Sequence, residues 1–155
     1  MQKILSFLAL ALVICSCNAQ VSGSIGFVPI KGVSAAIRIH DKSILIGACS
    51  AKMCNHDAME LDVDNTDSVS VAIEDYNFDG AADFSVEYLD EGKGTYTIHR
   101  VFLYSTKTMR FKEYFPRCGS EFINLKIDKN RRSLISTYFD ENVAKQCVSH
   151  LPKNP

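Results

Sequence analysis

Residues 68–88 constrain the fold more tightly than any other stretch of this chain. Before Asp75, Val69, Val71 and Ile73 alternate with Ser68, Ser70 and Ala72. After Asp83, Phe84, Val86 and Tyr88 alternate with Ser85 and Glu87. Successive side chains of a strand point to opposite faces, so a period of two marks half-buried strands and excludes an amphipathic helix. Between these flanks lies Asp75-Tyr-Asn77-Phe-Asp79-Gly80-Ala81-Ala-Asp83. Oxygen-bearing side chains fall at loop positions one, three, five and nine. Gly80, at position six, permits a sharp turn, and the Ala81 carbonyl is available at position seven. The pattern predicts a calcium loop inside a β-hairpin, with Asp75, Asn77, Asp79, Ala81 and Asp83 as ligands.

The competing reading is a plain polar turn whose Asp and Asn side chains cap their own backbone. Five matched positions favour the metal. Position twelve is Val86, where a sensor hand carries a bidentate glutamate. The expected role of Ca2+ is therefore structural. Asp62, Asp64 and Asp67 form a second acidic group without the glycine or the spacing, and they read as a solvated turn.

The remaining chain repeats the same rhythm. Val21–Ile30 reads as a mobile start leading into an edge strand, because Pro29 cannot donate to a central ladder. Ser34–His40 and Ser43–Ala48 form a hairpin about Asp41-Lys42, and Met59, Leu61 and Val63 alternate with acidic residues in a further strand. Asp90–Gly94 is a turn cluster, and Thr95–Ser105 the longest strand. Its apolar run Val101–Tyr104 implies cover on both faces. Met109–Phe115, Phe122–Ile127, Ser133–Phe139 and Asn142–Val148 complete the set, and Leu151–Pro155 reads as a loose tail. Short alternating strands between polar turns predict an all-β chain: a single propeller-like or sandwich domain of antiparallel hairpins.

Met1–Gln20 has the pattern of a cleaved signal peptide. Lys3 supplies the positive start, Ile4–Cys15 the apolar run, and small residues follow. Two processing routes stand open. Cleavage after Ala19 makes 1–19 the signal and 20–155 a single β domain. The run Ile14-Cys15-Ser16-Cys17 alternatively fits a lipobox, with 1–16 removed and Cys17 lipidated. Both export the chain, to the periplasm, to the outer membrane as a lipoprotein, or into the medium. A lipid anchor is the one membrane contact expected.

The 17 Lys and Arg residues nearly balance the 18 Asp and Glu. Arg131-Arg132 is the longest basic run, which leaves no footprint for nucleic acid. Cys49, Cys54, Cys118 and Cys147 remain beyond the leader, an even number in an exported chain, so disulfides are expected. Three connectivities are open. Cys49–Cys54 stapling a hairpin end and Cys118–Cys147 tying down the last strand is the favoured pairing.

Nothing in the residues supports catalysis. His40, His56, His99 and His150 share no metal-ligand spacing, His99 lies in mid-strand, and no G-x-S-x-G elbow surrounds Ser22-Gly23-Ser24. The chain reads as a non-enzyme.

Two resemblances attach to these motifs. The loop and its following strand, Asp75-Tyr-Asn-Phe-Asp-Gly-Ala-Ala-Asp-Phe, resemble the calcium loop of FG-GAP-type propeller repeats. Across about residues 60–145, the loop, the strand Thr95–Ser105 and the Tyr104–Phe111 hairpin resemble an exported bacterial family. That family comprises periplasmic inhibitors of invertebrate-type lysozyme and immunity proteins against lysozyme-like secreted toxins. The resemblance implies a β-rich domain whose partner is a lysozyme-like hydrolase or toxin, which it binds and inhibits. The family's inhibitory loop carries small Ser and Gly residues. Ser22-Gly23-Ser24 is similar in composition but sits at the mature N-terminus, where it reads better as a flexible leader. The alternative function is a calcium-dependent adhesion or carbohydrate-binding module.

Overall fold

The structure, a computed structural model, describes residues 23–63, 66–90, 96–153 and 155. The signal segment with Cys17, Ser22 of the mature N-terminus and Asp64 of the second acidic group therefore lie outside the described residues. So does most of the Asp90–Gly94 turn. Within them the chain is all-β, in two antiparallel sheets. The first contains β1 (Ser24–Phe27), β2 (Val33–His40), β3 (Ser43–Ser50) and β4 (Cys54–Glu60), adjacent in chain order. The second contains β5 (Ser70–Glu74), β6 (Asp83–Leu89), β7 (Thr97–Ser105), β8 (Arg110–Tyr114), β9 (Phe122–Asp128), β10 (Ser133–Asp140) and β11 (Val143–Ser149). Its order is β11-β10-β9-β7-β6-β5. Of the two architectures expected, this arrangement is consistent with the sandwich.

Local chemistry explains the hairpins. Asp41 and Lys42 both take positive φ, 45° and 56°, as do Glu141 and Asn142, at 51° and 62°. Two consecutive left-handed residues form a tight turn whose twist matches the flanking strands, which joins β2 to β3 and β10 to β11 with no slack. In β2, Val33, Ala35 and Ile37 are buried while the intervening residues are exposed; in β3, Ile44, Ile46 and Ala48 are buried. These six pack with Phe84, Val86, Phe102, Tyr104 and Phe111 from the second sheet, which makes the core between the sheets. Phe84 stacks on Phe102 with centroids 4.6 Å apart and meets Phe111 edge-on at 5.0 Å. Such pairs add about 1 kcal/mol each to the area they bury.

A second core lies on the other face of β7, where Val101 and Leu103 pack with Tyr76, Phe122 and Leu134. The run Val101–Tyr104 is thus covered on both sides, as its unbroken apolarity implied. β7 is also where the sheet divides. Along one edge it pairs β6; along the other, Ile98 and His99 pair β9 while Val101–Ser105 pair β8. Arg100 falls at the fork.

Two local expectations are corrected. The strand about Met59–Val63 ends earlier, since β4 stops at Glu60. Leu61 and Val63 are still buried and Asp62 exposed, so the alternation records burial against the core and not a ladder. The tail is not loose through Pro152. Leu151 packs on the second core, and the Pro152 carbonyl accepts a hydrogen bond from Asn77 Nδ2 at 2.9 Å.

Candidate functional site

The Asp75–Asp83 loop connects β5 to β6, two strands in register from Ser70–Glu87 to Glu74–Asp83. The sequence closes the loop on itself. Asp75 Oδ1 accepts the Asp79 N–H at 3.0 Å, and Oδ2 accepts the Gly80 N–H at 2.9 Å. Asn77 Oδ1 also accepts the Asp79 N–H, at 3.1 Å, and Asp79 Oδ1 accepts the Ala81 N–H at 2.8 Å. Gly80 takes φ of 93°, a conformation open to glycine at little cost. Phe78 takes φ of 61°, where a bulky side chain is strained. Arg132 restrains it: the guanidinium donates to the Phe78 carbonyl and lies 5.8 Å from the ring centroid. The loop is thereby clamped to the β9–β10 turn and, through Asn77, to the tail.

Asp83 turns inward from the end of the loop. Its side chain is inaccessible to solvent. Oδ2 accepts the Tyr76 N–H at 3.0 Å and Oδ1 the Tyr104 N–H of β7 at 2.8 Å. Burial pushes this carboxyl up to about 7; the two N–H donors oppose the shift, and the nearby Asp79 and Asp75 charges add to it.

The five predicted ligands are thus brought to one short loop, but they are used differently. Asp75, Asn77 and Asp79 order the turn, whereas Asp83 fastens the turn to β7. Among the described residues, no group of three or more His, Cys, Asp or Glu side chains is gathered so as to hold a metal ion. The donor chemistry nevertheless fits a hard cation. Carboxylate, amide and carbonyl oxygens are what calcium takes, and a carboxylate oxygen that accepts one N–H keeps a lone pair.

The predicted cysteine pairs are both present, Cys49–Cys54 and Cys118–Cys147. The first closes the β3–β4 turn, where the two residues face each other in register. The second ties β11 to the segment after β8.

Sequence reading missed the polar line beneath the loop. Tyr76 Oη donates to Ser85 Oγ at 2.7 Å, Ser85 Oγ donates to Glu87 Oε1 at 2.9 Å, and His99 Nδ1 lies 3.3 Å from the same Glu87 oxygen. The last contact is close enough for an ion pair but is not aligned as a hydrogen bond, and His99 Nδ1 is buried with no hydrogen-bond partner among the described residues. Burial lowers the His99 pKa, against the raising effect of Glu87, and pushes the Tyr76 phenol up to about 12. Glu87 stands between Ser85 and His99, and Ser85 is sealed from solvent. The imidazole is therefore no base for that hydroxyl. The one signal in the sequence was Ser85 on a strand otherwise flanked by buried apolar residues.

Comparison with known proteins finds no matching family model, no significantly similar curated protein and no significantly similar solved structure.

Proposed function

We propose that this chain is an exported, calcium-braced protein without catalytic activity of its own, which binds and inhibits a lysozyme-like peptidoglycan hydrolase. The observation that carries the reading is the loop Asp75–Asp83: its ligand spacing, its place between β5 and β6, and the clamps Arg132 and Pro152 that hold it. The resemblance of residues 60–145 to lysozyme inhibitors and immunity proteins supplies the partner class. Two disulfides are compatible with an oxidising compartment and hence with export.

The residues that would hold calcium are Asp75, Asn77, Asp79, Ala81 and Asp83, and the ion would supply positive charge to a loop rich in carboxylates. The chain's own contribution is rigidity. An inhibitor that enters the cleft of a glycosidase, whose paired carboxylates cleave the sugar chain, loses less entropy if its binding surface is ordered beforehand. Disulfides at the β3–β4 turn and at β11 serve that end.

Lysis of peptidoglycan by invertebrate-type lysozyme and by lysozyme-like toxins, with and without the purified chain, tests the proposal. Inhibition at stoichiometric concentration supports it. Undiminished lysis by every such enzyme rejects it, and glycan binding abolished by chelator would then favour the adhesion or carbohydrate-binding reading.

A further inference from the structure

We propose that the fork in the second sheet is a binding site for an organic cation, an alkylammonium or guanidinium group. The site is independent of the calcium loop and of the hydrolase reading.

The topology creates the cavity. β8 leaves β7 after pairing Val101, β9 joins at His99, and among the described residues nothing pairs Arg100 on that edge. The gap opens as a cleft of about 430 Å³ between the end of β8, the start of β9 and the end of β4. That volume lies in the range of small-molecule sites.

The charge in the cleft is unbalanced. Its one guanidinium, Arg100, is already engaged: Nε and Nη2 donate to the two carboxylate oxygens of Glu113, each at 2.7 Å, and Nη1 donates to the Glu60 carbonyl. Glu60, Asp62 and Glu121 add three further carboxylates to the lining, with no described cation as ion-pair partner. An anion is repelled by such a surface. A cation of several atoms suits it, since its charge is spread and separated carboxylates need only ring it.

One feature of the cleft is independent of its acids. Aromatic rings wall it: Tyr88 lies half-buried inside, and Phe115, 61% exposed, stands at the mouth. Ring faces attract ammonium and guanidinium groups. Tyr114, a third wall, already does so within the chain, its ring centroid 5.3 Å from the Lys112 ammonium.

The test is a titration of the full mature chain, followed by NMR, with n-butylguanidinium, n-butylammonium and the neutral isostere n-butylurea. The expected result is saturable shifts at Tyr88, His99 and Phe115 for both cations. Binding should be at least about fivefold weaker for the urea, and as much weaker for the cations in the Asp62→Asn/Glu121→Gln variant. Both substituted residues are exposed, and the unchanged remainder of the spectrum verifies that the variant folds. A blocked Gly-Arg-Gly peptide distinguishes the source of the cation. Binding tighter than that of butylguanidinium marks a side chain presented by a partner, and equal binding marks a free small molecule. Equal response to butylurea, or no saturable shift with either cation, overturns the proposal.

Discussion

Asp83 Oδ1 accepts the backbone N–H of Tyr104, 21 residues further along, at 2.8 Å inside the core. The same carboxylate receives the Tyr76 N–H on its other oxygen. One side chain thus satisfies two buried backbone donors and fastens the end of the loop to the central strand. Leaving a buried donor unpaired costs about 1–3 kcal/mol. Asp83→Ala should therefore destabilise the metal-free protein by about 3 kcal/mol or more. Asp83→Asn should also destabilise, because its amide turns a donor toward one of the two N–H groups. Urea unfolding in the presence of chelator measures both. Wild-type stability in Asp83→Asn would contradict the two-donor arrangement.

Calcium should raise the melting temperature, since a ligand that binds the native state alone stabilises it. Asp79→Ala should abolish that rise, while Asp62→Ala, which lies in the other acidic group, should leave it intact. Differential scanning fluorimetry with and without calcium reads the effect. An unchanged melting point in saturating calcium would leave the loop as a polar turn held by its own side chains.

The two disulfides should differ in weight. Cys118 and Cys147 are 29 residues apart, Cys49 and Cys54 only 5. Loop-closure entropy then assigns about 3.5 kcal/mol to the first and about 2 kcal/mol to the second. The double variant Cys118→Ser/Cys147→Ser should accordingly unfold at lower urea concentration than Cys49→Ser/Cys54→Ser. The reverse order would show that the β3–β4 staple does more than close a short turn.

His99 should give stability an acid-side dependence. Burial holds its folded pKa below the ordinary imidazole value of about 6.5, with Glu87 opposing. Between the two values the unfolded chain binds more protons than the folded one. The His99 contribution is therefore complete above about pH 6.5 and is lost as pH falls through the folded value. The difference in unfolding free energy between wild type and His99→Gln should shift against the wild type as pH is lowered from 7.5 to 5. A difference constant with pH would mean that the imidazole is not titrating as a buried group.

The sequence by itself determined most of the strands, the turns between most of them, the loop and the cysteines' readiness to pair. These follow from local rules: a period of two marks a face, a short polar pair such as Asp41-Lys42 marks a turn between two strands, and glycine at position six permits the bend. It did not determine which strands lie together. The pairing of one β7 edge with both β8 and β9 depends on contacts far apart in the chain, and no local pattern announces the cleft at Arg100. Nor did spacing reveal that Asp83, at the end of the loop, would accept the Tyr104 N–H. That outcome rests on a backbone donor of another strand, which only the folded sheet brings within 2.8 Å of it. Likewise Leu151–Pro155 reads as a loose, proline-bearing tail until the second core covers Leu151 and Asn77 reaches the Pro152 carbonyl.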